Sequence, residues 1–109
     1  MEIKKEEKKS KAIKFTLEED GEVIARASLF LITNDLDDRP YGLLEDVFVV
    51  EDHRGKGLGR KIVGIIIEEA REMGCSKVRG TSRMSRVGVH KLYEDIGFLK
   101  YGYAFKVEF

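Results

Sequence analysis

Residues 54–61 read Arg-Gly-Lys-Gly-Leu-Gly-Arg-Lys, three glycines at alternate positions among four cations. Glycine lets the backbone approach a ligand without side-chain obstruction. If a helix starts here, its first N–H groups are unpaired and its dipole adds partial positive charge. Together these make a site for a phosphate or pyrophosphate. A P-loop would need Gly-Lys followed by Ser or Thr after four intervening residues, which this stretch lacks. A dinucleotide fingerprint needs G-x-G-x-x-G, and glycines at 55, 57 and 59 do not fit it. A coenzyme A pyrophosphate and a plain flexible basic turn both stay open on the pattern alone.

Glu45 and Asp46 are the only acids inside the apolar run 43–50, LLEDVFVV. Strict alternation along a strand places one on each face. A carboxylate there could accept a proton or hold a cation; pairing with a neighbouring lysine or arginine is the plain alternative. His90 and His53 have no second histidine or cysteine at ligand spacing, so no metal site is expected, and His53 reads as a surface residue. Cys75 follows a helix-ending glycine and reads as a small buried side chain rather than a nucleophile. Tyr93 lies on the apolar stripe of its helix, where ordinary core packing is the simplest role.

The elements that must position these residues follow from periodicity. Residues 11–18 alternate, with Ile13, Phe15 and Leu17 on one side, as in a half-buried strand. Asp20-Gly21 suits a hairpin turn into a second strand over 22–32. Asn34 to Gly42 reads as a polar loop holding the single proline, and 43–50 as a central strand. From about Gly59 to Met73 the spacing of Ile62, Ile66, Ala70 and Met73 is helical, and Gly74 stops it. Residues 76–82 predict a short strand, parallel to 43–50 through a right-handed crossover. Residues 86–96 predict a second helix ending at Gly97. Residues 98–109 are aromatic and β-prone, with Gly102 marking a bend between two short strands.

The bulk composition narrows the classes. A chain of 109 residues with 42% hydrophobic content makes one domain with a real core. Twenty basic and twenty acidic residues cancel, which argues against a nucleic-acid partner. A single cysteine fits a reducing cytoplasm. No apolar run reaches the length of a membrane span, so no membrane partner is expected. Residues 1–10, nearly all charged, read as a solvated leader ahead of a single domain at 11–109.

Arg54-x-x-Gly57-x-Gly59 resembles the acetyl-CoA signature of the GNAT superfamily of N-acetyltransferases. Glu45-Asp46-Val47-Phe48-Val49 lies upstream at the family's distance, and Leu92-Tyr93-Glu94-Asp95-Ile96-Gly97-Phe98 follows downstream. The resemblance is strong from 43 to 98 and topological over the rest of 12–109. It implies an α/β fold of GNAT type: a mixed central sheet with an antiparallel N-terminal hairpin, a βαβ unit and two parallel strands that splay apart. It implies acetyl-CoA as co-substrate, no metal, and transfer of the acetyl group to a primary amine by direct attack in a ternary complex.

Carried over by position, the resemblance assigns Val47, Phe48 and Val49 to the pantetheine arm and the acetyl carbonyl. Arg54, Gly55, Lys56, Gly57, Leu58, Gly59 and Arg60 would cradle the pyrophosphate. Glu45 matches the general base and Tyr93 the general acid, while Asp46 would help hold a cationic acceptor. Arg86 stands where many members have a pantetheine-contacting asparagine, a departure that could turn it towards a phosphate. The stretch before residue 11 is also short for the family, which usually has a strand and two helices there. The acceptor side is then open, or completed by a second subunit in a homodimer. The acceptor is either a small-molecule amine or a protein amine. A coenzyme-A-binding module without turnover and a basic-loop nucleic-acid binder are the alternatives from other classes.

Overall fold

The computed structural model describes residues 1–109. Four strands form one sheet: β1 (Ala12–Glu19), β2 (Glu22–Asn34), β3 (Asp37–Val49) and β4 (Val78–Gly80), in that spatial order. The first three are antiparallel neighbours, and β3 and β4 are parallel. Helix α1 (Leu58–Glu72) makes the crossover between β3 and β4, and α2 (Val87–Ile96) follows β4. The expected mixed α/β architecture, with a hairpin and a βαβ unit, is the one observed. Residues 1–11 form no helix or strand.

The β1–β2 turn is Asp20-Gly21, with φ of 52° and 81°. Positive φ at both central residues is what a tight I′ hairpin requires, and aspartate and glycine tolerate it best. The second connection differs from expectation. Asn34 to Gly42 is not a loop: Asn34 pairs with Asp37, so only Asp35 and Leu36 connect the strands. The Asn34 side chain accepts the Leu36 N–H at 2.9 Å and closes the turn. Pro40 lies inside β3 at a break in register, and its carbonyl accepts the Ser76 N–H at 2.8 Å. The proline lacks a donor, but an irregular position needs none.

The core lies between the sheet and α1. Ile62, Val63, Ile66 and Ala70 form the buried stripe of α1 and meet Ala25, Ala27, Leu29 and Leu44 on the sheet. The small Ala25 and Ala27 let the helix sit close to β2. Helix α1 ends in a Schellman motif: Gly74, at φ 80°, donates to Arg71, and Cys75 donates to the Ala70 carbonyl at 3.0 Å. Cys75 is partly buried against the core, and burial pushes its thiol pKa up, as expected of a packing residue.

The opposite sheet face carries no helix. Phe30 and Phe48 keep 39% and 38% of their surface exposed there. At the end of the chain the expected strands are absent. Residues 98–109 form no strand, and Gly102 does not take a positive φ. A strand needs a hydrogen-bonded neighbour, and none lies beside this segment.

Candidate functional site

The site is built around the far end of β3. Ser28 pairs with Glu45 and Arg26 pairs with Phe48, so the single residue Ala27 faces both Asp46 and Val47. This is a β-bulge, and Asp46 carries it with φ 54°. The extra residue resets the alternation. Leu44 is buried on the core side, Glu45 and Asp46 are both exposed, and Val47 and Val49 then turn back towards the core. The expectation of one acid on each face is therefore corrected: the bulge places both carboxylates on the open face. They line an open cavity of about 420 Å³ with Ser28, Phe30 and Leu43.

The two acids are not equivalent. Asp46 is held by Arg26 in a two-point contact, Nε to Oδ2 at 2.9 Å and Nη2 to Oδ1 at 3.3 Å. The Arg26 guanidinium also lies 4.7 Å from the Phe48 ring centroid. Glu45 has no ion-pair partner within the bonding distance, which leaves its carboxylate available to water or a ligand.

On its other edge β3 meets β4 for only three pairs, Gly42 with Val78, Leu43 with Arg79 and Leu44 with Gly80. From Glu45 to Val49 that edge of β3 has no strand partner. One group there is engaged: the Val49 carbonyl accepts Arg54 Nε at 2.9 Å. The opening is a slot into which an extended chain could insert and hydrogen-bond as an added strand.

The glycine loop lies at the end of this slot. After a single 3₁₀ turn over Glu51–His53, Gly55 and Gly57 take φ of 78° and 80°. Side chains resist that conformation, so these two positions need glycine. Gly57 is the N-cap of α1, with no side-chain cap and no acid in the first turn. Lys61 donates the first intrahelical bond, to the Gly57 carbonyl at 3.0 Å, which leaves the N–H groups of Leu58, Gly59 and Arg60 directed at the loop. The side chains divide the work. Lys56 is exposed, Arg54 is folded back on Val49 and Phe48, and Arg60 pairs with Asp95 of α2 at 3.2 Å. A Cβ on Gly59 would sit 3.7 Å from Leu92 and 4.0 Å from Val49, so helix start, α2 and β3 converge there.

Tyr93 projects from α2 towards the mouth of the slot. Its ring lies 5.0 Å from Phe98 and packs beside Leu44 and Gly80. Burial raises its pKa, Arg86 opposes that shift, and Glu45 adds to it. Tyr93 thus feels the charges of both Arg86 and Glu45. Arg86 is the N-cap of α2.

Sequence reasoning missed three features. The phase shift at Asp46 depends on which residue of β2 stands opposite, which one strand cannot reveal. Ser28 and Phe30 of the cavity, and Arg26 that holds Asp46, carry no motif. His53 is not a plain surface residue: its Nδ1 is buried without a partner and its Nε2 lies 3.7 Å from Glu19. No group of histidine, cysteine and acidic residues with metal-binding geometry occurs.

Residues 2–98 match the model of the acetyltransferase (GNAT) family. The chain belongs to the GNAT family. L-amino acid N-acyltransferase MnaT of Escherichia coli K12 is 36% identical over 83 residues, covering 75% of this chain and 47% of that protein. An aminoglycoside N(6')-acetyltransferase type 1 of Stenotrophomonas maltophilia is 29% identical over 82 residues, covering 72% of this chain and 54% of that one. The chain thus spans about half the length of these relatives. Among solved structures, glucosamine-6-phosphate N-acetyltransferase from Arabidopsis thaliana superposes with a TM-score of 0.82 at 27% identity, covering 90% of this chain and 67% of that one. This GNAT chain carries the family's mixed sheet and crossover helix. No helix in it is long and apolar enough to cross a membrane.

Proposed function

We propose that this GNAT chain transfers an acetyl group from acetyl-CoA to a primary amine. The observation that carries the reading is the bulged end of β3. It puts Glu45 on the open face, leaves the strand's other edge unpaired, and leads into a helix N-terminus with free N–H groups. In this reading the cradle of Gly55 to Arg60, with Lys56, holds the pyrophosphate. The free edge from Val47 to Val49 aligns the pantetheine arm. Arg54 would exchange its contact with Val49 for the ligand, and Arg86 would contribute charge at the slot mouth.

Acetyl-CoA supplies a thioester, and the chain must supply proton transfer. An amine of pKa about 10.4 is neutral in roughly one molecule in 2,500 at pH 7, which costs about 4.6 kcal/mol. Glu45, acting through water, accepts the proton that the amine loses. The amine nitrogen bonds to the acetyl carbon, and the backbone N–H of Val47 on the unpaired edge donates to the developing oxyanion, since the Phe48 N–H faces Arg26 of β2. The carbon–sulfur bond then breaks, and the Tyr93 hydroxyl protonates the departing thiolate. A tyrosine hydroxyl is protonated at neutral pH, and burial raises its pKa further. No covalent enzyme intermediate is needed.

The relatives named above are acyltransferases for an amino acid and an aminoglycoside, which supports a small amine as acceptor. Asp46, already neutralised by Arg26, would position the acceptor through that pair rather than as a free charge. The open cavity also favours a second reading, a coenzyme-A-binding module that lacks turnover. A thermal-shift titration with acetyl-CoA tests the donor site: wild type should be stabilised by about 2.7 kcal/mol at one hundred times Kd, and Gly57→Glu should lose the response. An unresponsive wild type would sink both readings. Free-thiol release with a panel of amines separates enzyme from binder.

A further inference from the structure

The charges on the open face around the cavity are uneven, and the strand register shows how they are laid out. Lys14 of β1, Ser28 of β2 and Glu45 of β3 stand in one row across the sheet. Phe30, Leu43 and Arg79 of β4 stand in the next. Val78 packs on the core side, so its neighbours Lys77 and Arg79 alternate onto the open face. Both are exposed, and the charged group of each lies 5.5 Å from the Tyr41 ring. Lys14, Lys77 and Arg79 have no acidic partner within ion-pairing distance. Arg26 does have one, and the acid it neutralises is Asp46.

The cavity therefore offers a ligand one free carboxylate, Glu45, with unpaired cations on the strands to either side. Its floor is apolar: Phe30 is exposed there and Leu43 half-buried, with the Ser28 hydroxyl between Phe30 and the acids. A ring and an aliphatic side chain beside a lone carboxylate complement an ammonium carried on an apolar body. Leu43 is two residues before Glu45, and Arg79 is one strand beyond Leu43, so sheet spacing puts the Glu45 and Arg79 Cα atoms about 8 Å apart. That is about the screening length at physiological ionic strength. A polyamine carries its next ammonium a few carbons from the first, and a polyamino sugar spreads its ammonium groups around its rings. Laid over this floor with one amine at Glu45, either brings a second cation towards Arg79 and Lys77.

We propose that the acceptor is a primary amine with a single positive charge on an apolar body of about one ring in size, and that the open face rejects polycations. This rests on the acetyl-transfer reading above and narrows its acceptor. Glu45 receives the amine, and Phe30 and Leu43 receive the apolar body. Arg79 and Lys77 set the rejection by like-charge repulsion. The Arg26–Asp46 pair contributes as well, because it removes the second acid that a polycation would need.

The test measures kcat/KM by thiol release from acetyl-CoA with four amines: 2-phenylethylamine, 3-methylbutylamine, spermidine and kanamycin. Each of the two apolar monoamines should exceed each polycation by about 10-fold or more, through apolar contact and the absence of repulsion. Added salt should narrow that gap, because it screens repulsion and leaves apolar contact intact. Arg79→Glu should raise kcat/KM for spermidine by about 10-fold, and Phe30→Ala should raise KM for 2-phenylethylamine by about 10-fold. Both side chains are exposed, and the acetyl-CoA thermal shift reports whether the variants remain folded. Spermidine or kanamycin turned over as well as the monoamines would overturn the proposal and leave acetyl transfer standing. A gap that neither salt nor Arg79→Glu narrows would overturn it too. No release with either monoamine would also overturn it, and a wider amine panel then decides separately whether the chain transfers acetyl groups at all.

Discussion

The two faces of the sheet are built from the same strands and do different work. The covered face carries Ala25, Ala27, Leu29 and Leu44 against α1, with Leu29 and Ala27 fully buried. The open face carries Arg26, Ser28, Phe30, Glu45 and Asp46; both carboxylates are exposed, and Arg26 and Ser28 are half-buried. Packing fixes the first face. One irregular residue, Asp46, decides what the second presents. If Glu45 is the base proposed above, the residues that pack the core and the one that accepts the proton lie on opposite faces of the same strands, so substitutions on neighbouring residues should separate stability from activity in experiment.

The largest expected effect is on the open side and its slot. Glu45→Gln and Tyr93→Phe should each lower kcat by about 10²–10⁴-fold, the usual worth of a positioned base or acid. The thermal midpoint should hardly move for Glu45→Gln, because its carboxylate is exposed. The pH profile sharpens the assignment. The Tyr93 pKa is raised, so its proton is held at neutral pH and is lost only as pH climbs above about 10. The alkaline fall in kcat due to the acid should therefore lie above that pH in wild type and vanish in Tyr93→Phe. Retention of full kcat by both variants would remove Glu45 and Tyr93 from proton transfer, whereas ligand binding without thiol release by the wild type would leave the coenzyme-A-binding module as the better account.

On the covered face the signature reverses. Leu29→Ala removes a wholly buried side chain from the centre of the cluster, and large-to-small changes of this kind cost about 2–5 kcal/mol. Chemical denaturation should show a lower midpoint, while kcat per folded molecule stays near that of wild type. Should Leu29→Ala lower kcat per folded molecule as far as Glu45→Gln does, the separation between the faces fails.

The covered face was also the legible one. The spacing of Ile62, Val63, Ile66 and Ala70 marks both a helix and the side it buries, and Ile13, Phe15 and Leu17 do the same for the first strand. The glycine loop was legible because Gly55 and Gly57 are required by their positive φ, a local property. Pro40 and the acids around it looked like a loop, because a register break that tolerates proline exists only once β2 is paired. Residues 98–109 do alternate, but alternation shows that a strand is wanted, not where its neighbour is. The bulge at Asp46 was hidden for the same reason: it is defined by Ala27 across the ladder.

Asp46 allows the subtlest test, because its backbone and its charge make separate demands. Its φ of 54° favours asparagine, aspartate or glycine over other residues, while its carboxylate pairs with Arg26. An exposed pair of this kind is worth about 0–1 kcal/mol. Asp46→Asn and Asp46→Gly keep the backbone preference and remove the charge, so their stabilities should stay within about 1 kcal/mol of wild type. Asp46→Ala lacks that preference and should lose about 1 kcal/mol or more, because the left-handed conformation strains a Cβ. If the Arg26–Asp46 pair also positions the acceptor, all three variants should share a raised KM for the amine with the KM for acetyl-CoA unchanged. A KM shift confined to Asp46→Ala would instead mean that the residue serves the acceptor only by holding the bulge that aims Glu45.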